Sequence, residues 1–199
     1  MRTHRRGLVM LLAAALVISV ALPVAALEVS ENGTIAADQV IDDDLFIGGT
    51  MVYINGTVTG DVIAVGNQVV VNGRVGGSLI VAAQSLVVNG TVDGSVYSGS
   101  ASAEFGSDAQ IGRNAYCAGY SLITQPGAEV TQDLLAAMYQ VVHGGSIGRD
   151  ATTAGGAVEI SGEVGRDLIV DLGTEPAGQG APFVLIPGAP TTIAPGLRV

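Results

Sequence analysis

Residues Asp44–Gly94 read DLFIGGTMVYINGTVTG, DVIAVGNQVVVNGRVGG and SLIVAAQSLVVNGTVDG, three consecutive blocks of 17 residues written in one grammar. Each opens on a polar residue, passes through an apolar triplet into small residues, and continues in a second apolar run. Asn-Gly follows, then one isolated Val and a closing Gly. Self-similarity at a fixed period of this size is the mark of a solenoid, whose repeats bury their apolar faces only by stacking on one another. The frame continues as blocks 44–60, 61–77, 78–94, 95–113, 114–132, 133–149 and 150–166, with an eighth opening at Asp167. The fourth and fifth blocks have 19 residues, and their additions fall near Gly106-Ser107 and Gln125-Pro126. That position should be a corner, where an insertion bulges outward and leaves the stack intact.

A strand advances about 3.3 Å per residue, so 17 residues trace roughly 55 Å, enough for three short sides and three corners. The expected fold is therefore all-β: a single-stranded parallel β-helix of triangular section, with about seven to eight coils of 17–19 residues and four or five residues per side. Coils about 4.8 Å apart make a rod roughly 35 Å long. Asn55-Gly56, Asn72-Gly73 and Asn89-Gly90 are read as corners that use left-handed backbone conformations. A hairpin reading of Asn-Gly fails, because the isolated Val after it cannot form a returning strand.

Aligning the blocks produces columns. Leu45, Val62, Leu79, Val96, Ala115, Leu134, Ala151 and Leu168 form one, and Ile47, Ala64, Val81, Ser98, Cys117, Ala136, Thr153 and Val170 a second. Ile54, Val71, Val88, Phe105, Thr124, His143 and Ile160 share a third, and Val58, Val75, Val92, Ile111, Val130, Ile147 and Val164 a fourth. All four suit the interior. Strand side chains alternate in direction, so the residues between the first two columns should face outward: Phe46, Ile63, Ile80, Tyr97, Tyr116, Leu135, Thr152 and Ile169. Tyr53, Val70, Val87, Glu104, Ile123, Val142 and Glu159 occupy the equivalent place on the second side. A continuous apolar ladder on a surface marks a partner or a covering segment. Phe46, Ile63, Ile80, Tyr97, Tyr116, Leu135 and Ile169 are the candidate self-association residues.

Composition agrees with narrow strands and tight corners: 29 Gly, no Trp, and no Lys among the eight basic residues. The formal charge is −10, and from Leu27 onward five Arg stand against 18 carboxylates. A body this acidic should be repelled by nucleic acid and by anionic headgroups. The single cysteine, Cys117, excludes a disulfide scaffold and falls where a small core residue is expected.

Four regions follow. Residues 1–26 are a targeting segment: Arg2, His4, Arg5 and Arg6 are basic, Gly7–Leu22 is an apolar run, Pro23 breaks it, and Val24-Ala25-Ala26 offers a cleavage site. The run also approaches the length that spans a bilayer. A cleaved signal peptide and an uncleaved membrane anchor at residues 7–26 thus both stay open, and either exports the body to the envelope or beyond. Residues 27–43 are a lead-in or irregular first coil, and 44–171 the repeat domain. Residues 172–199 are a Pro/Gly-rich segment whose apolar run Phe183–Ile186 either belongs to a loose tail or caps the open end of the solenoid.

Chemistry-bearing residues are sparse. After residue 26 the only histidine is His143, in an inward column, where a satisfied core imidazole is expected. One His and one Cys do not make a zinc site, so no catalytic, cofactor or metal residue is assigned and no enzyme activity is expected. Short phrases such as Val-Gly-Gly-Ser are shared with hexapeptide-repeat transferases and gamma-class carbonic anhydrases, but the histidines those enzymes need are missing. Asp44, Asp61, Asp133, Asp150 and Asp167 should stack at one corner, with Arg113, Arg149 and Arg166 completing a ladder of alternating charge worth a few tenths of a kcal/mol per pair. Calcium bridging of Asp44 and Asp61 lacks the Gly-rich repeat that would support it. The Asn-Gly-Thr triplets at Asn32, Asn55 and Asn89 match the glycosylation sequon, though Asn-Gly also serves as the corner.

The stretch VTGDVIAVGNQVVVNGRVGGSLIVAAQSLVVNGTVDGSV resembles bactofilins, the polymer-forming cytoskeletal family, and above all their exported relatives. The likeness lies in repeated Val-x-Gly-Asp/Ser-Val/Leu-Ile and Val-x-x-Asn-Gly-x-Val phrases and covers about Asp42–Asp171. It implies a right-handed β-helix whose ends stack, without nucleotide, into nonpolar filaments. The signal segment departs from cytoplasmic members. The expected function is thus a self-assembling structural scaffold at the cell envelope, with itself as partner. The alternative is a non-polymerising surface module that binds or adheres through the apolar stripe.

Overall fold

The computed structural model describes residues 33–172, and all of its regular structure is parallel β. Coils 1 to 7 are the blocks defined above, and coil 8 opens at Asp167. Each of coils 1 to 6 contributes one ten-residue strand and one two-residue strand. The long ones are β3 (Leu45–Ile54), β5 (Val62–Val71), β7 (Leu79–Val88), β9 (Val96–Phe105), β11 (Ala115–Thr124) and β13 (Leu134–His143). The short ones are β4 (Thr57–Val58), β6 (Arg74–Val75), β8 (Thr91–Val92), β10 (Gln110–Ile111), β12 (Glu129–Val130) and β14 (Ser146–Ile147). Coil 7 splits its long strand into β15 (Ala151–Gly155) and β16 (Ala157–Ile160), followed by β17 (Glu163–Val164), and β18 (Leu168–Leu172) ends the stack. Ahead of coil 1, β1 (Thr34–Ile35) and β2 (Val40–Ile41) form a partial coil that pairs with β3 and β4. The long strands make a ten-stranded sheet and the short ones an eight-stranded sheet, both in coil order. The fold is thus a β-solenoid of about eight turns.

Each ten-residue strand supplies two sides of the triangle. Leu45 and Ile47 are buried, and so are Val52 and Ile54, although Val52 is five positions, an odd number, beyond Ile47. Strict alternation would put one pair outside. The strand resolves this by bending at Gly48–Met51, four successive exposed positions in coil 1. The small residues of each block are therefore the corner at which the alternation resets. They leave a fifth inward column that the sequence reading did not separate out: Val52, Val69, Leu86, Ala103, Leu122, Val141 and Val158, each 0% exposed. The third side is shorter than expected, pairing over two residues per coil.

The two 19-residue coils carry their additions where the spacing placed them, since Phe105 pairs with Val88 while Gln110 pairs with Thr91. Gly106–Ala109 is thus a four-residue corner above the two-residue corner Asn89-Gly90. Gln125–Ala128 repeats this wide corner, and so does Ala36–Gln39 in the partial coil.

One expectation about the corners is corrected. Gly56, Gly73 and Gly90 are not in the left-handed region; the positive-φ glycines of the described chain are Gly33, Gly119 and Gly127. Stacking selects glycine at Asn-Gly instead. A Cβ on Gly73 would sit inside the contact surface of the Gly56 carbonyl oxygen, and one on Gly90 inside that of Gly73. The asparagines do separate work, because Asn72 Nδ2 donates to Asn55 Oδ1 at 2.7 Å and Asn89 Nδ2 to Asn72 Oδ1 at 2.9 Å.

Candidate functional site

The candidate surface is the outer face of the first side. Each of its residues follows an inward residue in the alternation, so the fold forces it out. Phe46 is 46% exposed, Tyr97 45%, Leu135 48% and Ile169 58%, while Ile63, Ile80 and Tyr116 are half-buried between their neighbours. Strand register brings all seven into one column, with Thr152 the single polar member. The Tyr97 and Tyr116 rings stack with centroids 5.0 Å apart and planes 14° from parallel. Beside them runs a second outward column of Gly48, Val65, Ala82, Gly99, Ala118, Ala137 and Ala154, small except for Val65. The ten-stranded sheet as a whole carries only three charged side chains, Glu104, Glu159 and Asp171. Charge on this acidic chain is concentrated at the corner before the first side and along the third.

That corner is a ladder that the sequence reading located but read only as charge. Asp44 Oδ1 accepts the Asp61 N–H at 2.8 Å, and Asp61 Oδ1 accepts the Ser78 N–H at 2.6 Å. Ser78, Ser95, Asn114, Asp133 and Asp150 hand the pattern on to Asp167. The opening residue of each block is polar because its side chain accepts the backbone donor of the next coil's opening residue. The signal was present as a polar residue at every block start, including Ser and Asn, which no charge ladder needs. Two ladder aspartates also pair with arginine, Asp133 with Arg149 at 3.4 Å and Asp150 with Arg166 at 2.6 Å, and an unforeseen pair, Arg74–Asp93 at 2.7 Å, lies outside the ladder. Among the described residues Arg113 forms none, because its coil opens with Ser95 where the other two open with Asp.

The two ends of the stack differ. In coil 1 the inward residues Leu45, Ile47, Val52, Ile54 and Val58 are at most 4% exposed, and Ile35 of the partial coil is at 1%. At the other end Leu168 is 44% exposed, and Ile160, Val164, Val170 and Leu172 are only partly covered.

His143 is buried, as its column requires, and both ring nitrogens are occupied. Nδ1 lies 2.6 Å from Thr124 Oγ1, which itself accepts the Gly144 N–H at 3.2 Å, and Nε2 lies 3.3 Å from the Glu163 carbonyl oxygen. A carbonyl can only accept, so Nε2 carries the proton and the Thr124 hydroxyl donates to Nδ1. Burial lowers the pKa of His143, opposed by the Glu163 bond. Cys117 is buried, and burial pushes its thiol up to about 12. Among the described residues no three His, Cys, Asp or Glu side chains converge as metal ligands, and no helix is long and apolar enough to cross a membrane. Residues 1–26, read as a targeting segment, and the run Phe183–Ile186 lie outside the described residues.

Comparison with known proteins returned no match to a family model, a curated protein or a solved structure.

Proposed function

We propose that this chain is a self-assembling structural scaffold of the cell envelope, built by end-to-end stacking of solenoids and reinforced side to side. The observation that carries the reading is the uncharged column, apolar except at Thr152, running the full height of the stack on an otherwise acidic protein. Eight coils at about 4.8 Å give a strip roughly 34 Å tall, and two outward columns make it about 10 Å wide. Two copies face to face would then bury on the order of 700 Å², below the roughly 1,200 Å² of a stable interface. The lateral contact is therefore weak alone and grows in strength as copies are joined lengthwise. The end at Leu168–Leu172 supplies that lengthwise contact, since its strand edge has no partner among the described residues and its core, partly uncovered, templates a further coil. The bactofilin-like repeat phrases support the same reading, and residues 1–26, read as an export segment, would carry the assembly out of the cytoplasm.

Sedimentation and negative-stain microscopy of residues 27–199 test this. Assemblies that persist or grow with salt are expected, because the contacts are apolar. Tyr97→Glu with Leu135→Glu should abolish bundling, and Leu168→Asp should shorten or dissolve the filaments. Monodisperse monomers at every concentration and salt would overturn the proposal.

One observation favours a second reading. At the first-coil end the inward residues are covered through Ile35 of the partial coil, which leaves less core there for another copy to stack on and suits a non-polymerising module that uses the same stripe to hold a surface partner. Monomers that bind such a partner, and lose it with Tyr97→Glu, would decide for it.

A further inference from the structure

The three Asn-Gly corners share one sequence but not one environment, and the difference is chemical. At Asn72 and Asn89 the following glycine N–H is tied to the coil below: Gly73 N–H to Ile54 O at 2.9 Å and Gly90 N–H to Val71 O at 3.0 Å. Both asparagine Nδ2 groups are also engaged, each donating to the asparagine beneath. Asn55 sits on the wide corner Ala36–Gln39 instead. There Ile35 O takes the Asn55 N–H at 2.9 Å and Gln39 O takes the Thr57 N–H at 3.0 Å. The Gly56 N–H between them meets no acceptor among the described residues. The same step from narrow to wide corner recurs at Gly144-Gly145 above Gln125–Ala128. Gly144 N–H and Ser146 N–H are bonded there, and Gly145 N–H again is not. The orphan donor is thus a property of the step.

Asn55 differs in its side chain as well. Its Nδ2 donates to nothing among the described residues, while its Oδ1 receives the Asn72 Nδ2–H at 2.7 Å. A donor on Oδ1 polarises the Cγ carbonyl and stabilises the oxyanion that forms when a nucleophile adds to it. Nucleophile and leaving group are therefore both released at Asn55 and restrained at the other two, while the donor on Oδ1 is shared with Asn72, whose Oδ1 receives the Asn89 Nδ2–H at 2.9 Å.

We propose that Asn55 is a site of selective intramolecular modification. The Gly56 backbone nitrogen, after losing its proton to solvent, adds to Asn55 Cγ, and the Nδ2 group departs as ammonia to leave a five-membered imide. Water then opens the ring at either carbonyl, leaving aspartate or isoaspartate. The net change is one water in and one ammonia out, with no other reagent. Isoaspartate inserts a backbone carbon at the seam held by Asn55 N–H to Ile35 O and Thr57 N–H to Gln39 O. The site thus acts on the join between the partial coil and coil 1, at the first-coil end of the stack.

The test incubates the full chain, folded, at mildly alkaline pH and follows each Asn-Gly corner by peptide mapping and mass spectrometry. A parallel sample in denaturant supplies the intrinsic rates. Asn55 is expected to convert about tenfold faster than Asn72 or Asn89 in the folded chain, the factor in rate that one net hydrogen bond is worth. In denaturant the three rates should converge. Asn72→Ala, which removes the donor on Oδ1, should slow Asn55. Equal rates in the folded chain, earlier loss of Asn72 or Asn89, or no conversion while the denatured sample reacts would each overturn the proposal.

Discussion

Replacing Gly73 by alanine tests the claim that stacking, and not a backbone angle, selects glycine at these corners. The φ of Gly73 lies outside the left-handed region, so alanine meets no dihedral penalty. Its methyl group does meet the Gly56 carbonyl oxygen inside contact distance and the Asn55 carbonyl carbon at 2.7 Å. The Gly56 oxygen is not free to retreat, and Asn55 lies between two bonded carbonyls. Gly56 O holds the Arg74 N–H at 3.0 Å, and Ile54 O holds both the Asn72 and Gly73 N–H groups at 2.9 Å. Relief requires coil 2 to lift, which forfeits the bonds from Gly73 and Arg74. Each is worth about 0.5–1.5 kcal/mol net, and about 1–3 kcal/mol where a group is left buried and unpaired. Against this, Gly→Ala restricts the unfolded chain and returns about 0.4–1 kcal/mol. Gly73→Ala should therefore destabilise by about 2 kcal/mol. Gly48→Ala is the control. Its Cβ would stand 3.6 Å from Val65 O, an ordinary contact on the exposed bend, so it should be neutral or stabilise by about 0.5–1 kcal/mol. Urea midpoints at unchanged slope measure both. A Gly73→Ala variant within about 0.5 kcal/mol of the parent, or equal shifts in both variants, would refute the close-stack reasoning.

Three further outcomes follow from the same geometry. His143 ordinarily titrates near 6.5, and burial holds its folded value lower. The unfolded chain therefore takes up the proton first, so stability is full above about pH 6.5 and falls as pH drops from there toward the folded pKa. Urea midpoints between pH 7.5 and 5.5 should show this decline, and His143→Gln should flatten it. Cys117, held near 12, presents almost no thiolate at pH 8. Labelling of the folded chain should track its unfolding rate, and fast stoichiometric reaction without denaturant would contradict the burial. Asp61→Ala removes the acceptor of the Ser78 N–H, which should lower stability by about 0.5–1.5 kcal/mol, whereas Asp61→Asn should keep most of it.

The period alone carried the architecture, because a 17-residue repeat leaves a parallel chain no choice of partner but the block before and the block after. The inward columns at Leu45, Ile47, Ile54 and Val58 were readable since each holds an unbroken apolar identity through three blocks. Val52 was hidden by Val69-Val70-Val71, where alternation cannot be seen in a uniform run. The reason for glycine at Asn-Gly was out of reach: φ and close approach both demand the same residue, and only coordinates tell them apart. The side-chain acceptors at Asp44 and Asp61 were equally ambiguous, since a carboxylate at a corner serves an arginine and a backbone N–H alike. The stripe from Phe46 to Ile169 was readable as a position. What rests on it was not, because a face is defined by the fold and its occupant by another molecule.

The interior itself is not uniform along the axis, and this bears on which end moves. Coils 1 to 3 are filled by aliphatic side chains alone, from Leu45 to Val92. Coils 4 to 7 admit Ser98, Ser100, Ser121, Thr124, Gln140, His143 and Thr153. Some of these satisfy each other, as Ser98 does with Ser100 at 2.8 Å. Ser121 Oγ, Gln140 Oε1 and Thr153 Oγ1 are buried with no partner among the described residues. Buried polar atoms left unpaired each cost about 1–3 kcal/mol. In a stack where each coil contacts only its neighbours, such costs stay local, so opening should begin at coil 8 and run inward through the polar coils. In the proposed assembly, the end with the exposed Leu168 is then both the surface that would accept another copy and the part most in need of one. Association there would stabilise these coils by mass action, so amide exchange in Leu134–Leu172 should slow with protein concentration while exchange in Leu45–Val92 stays constant.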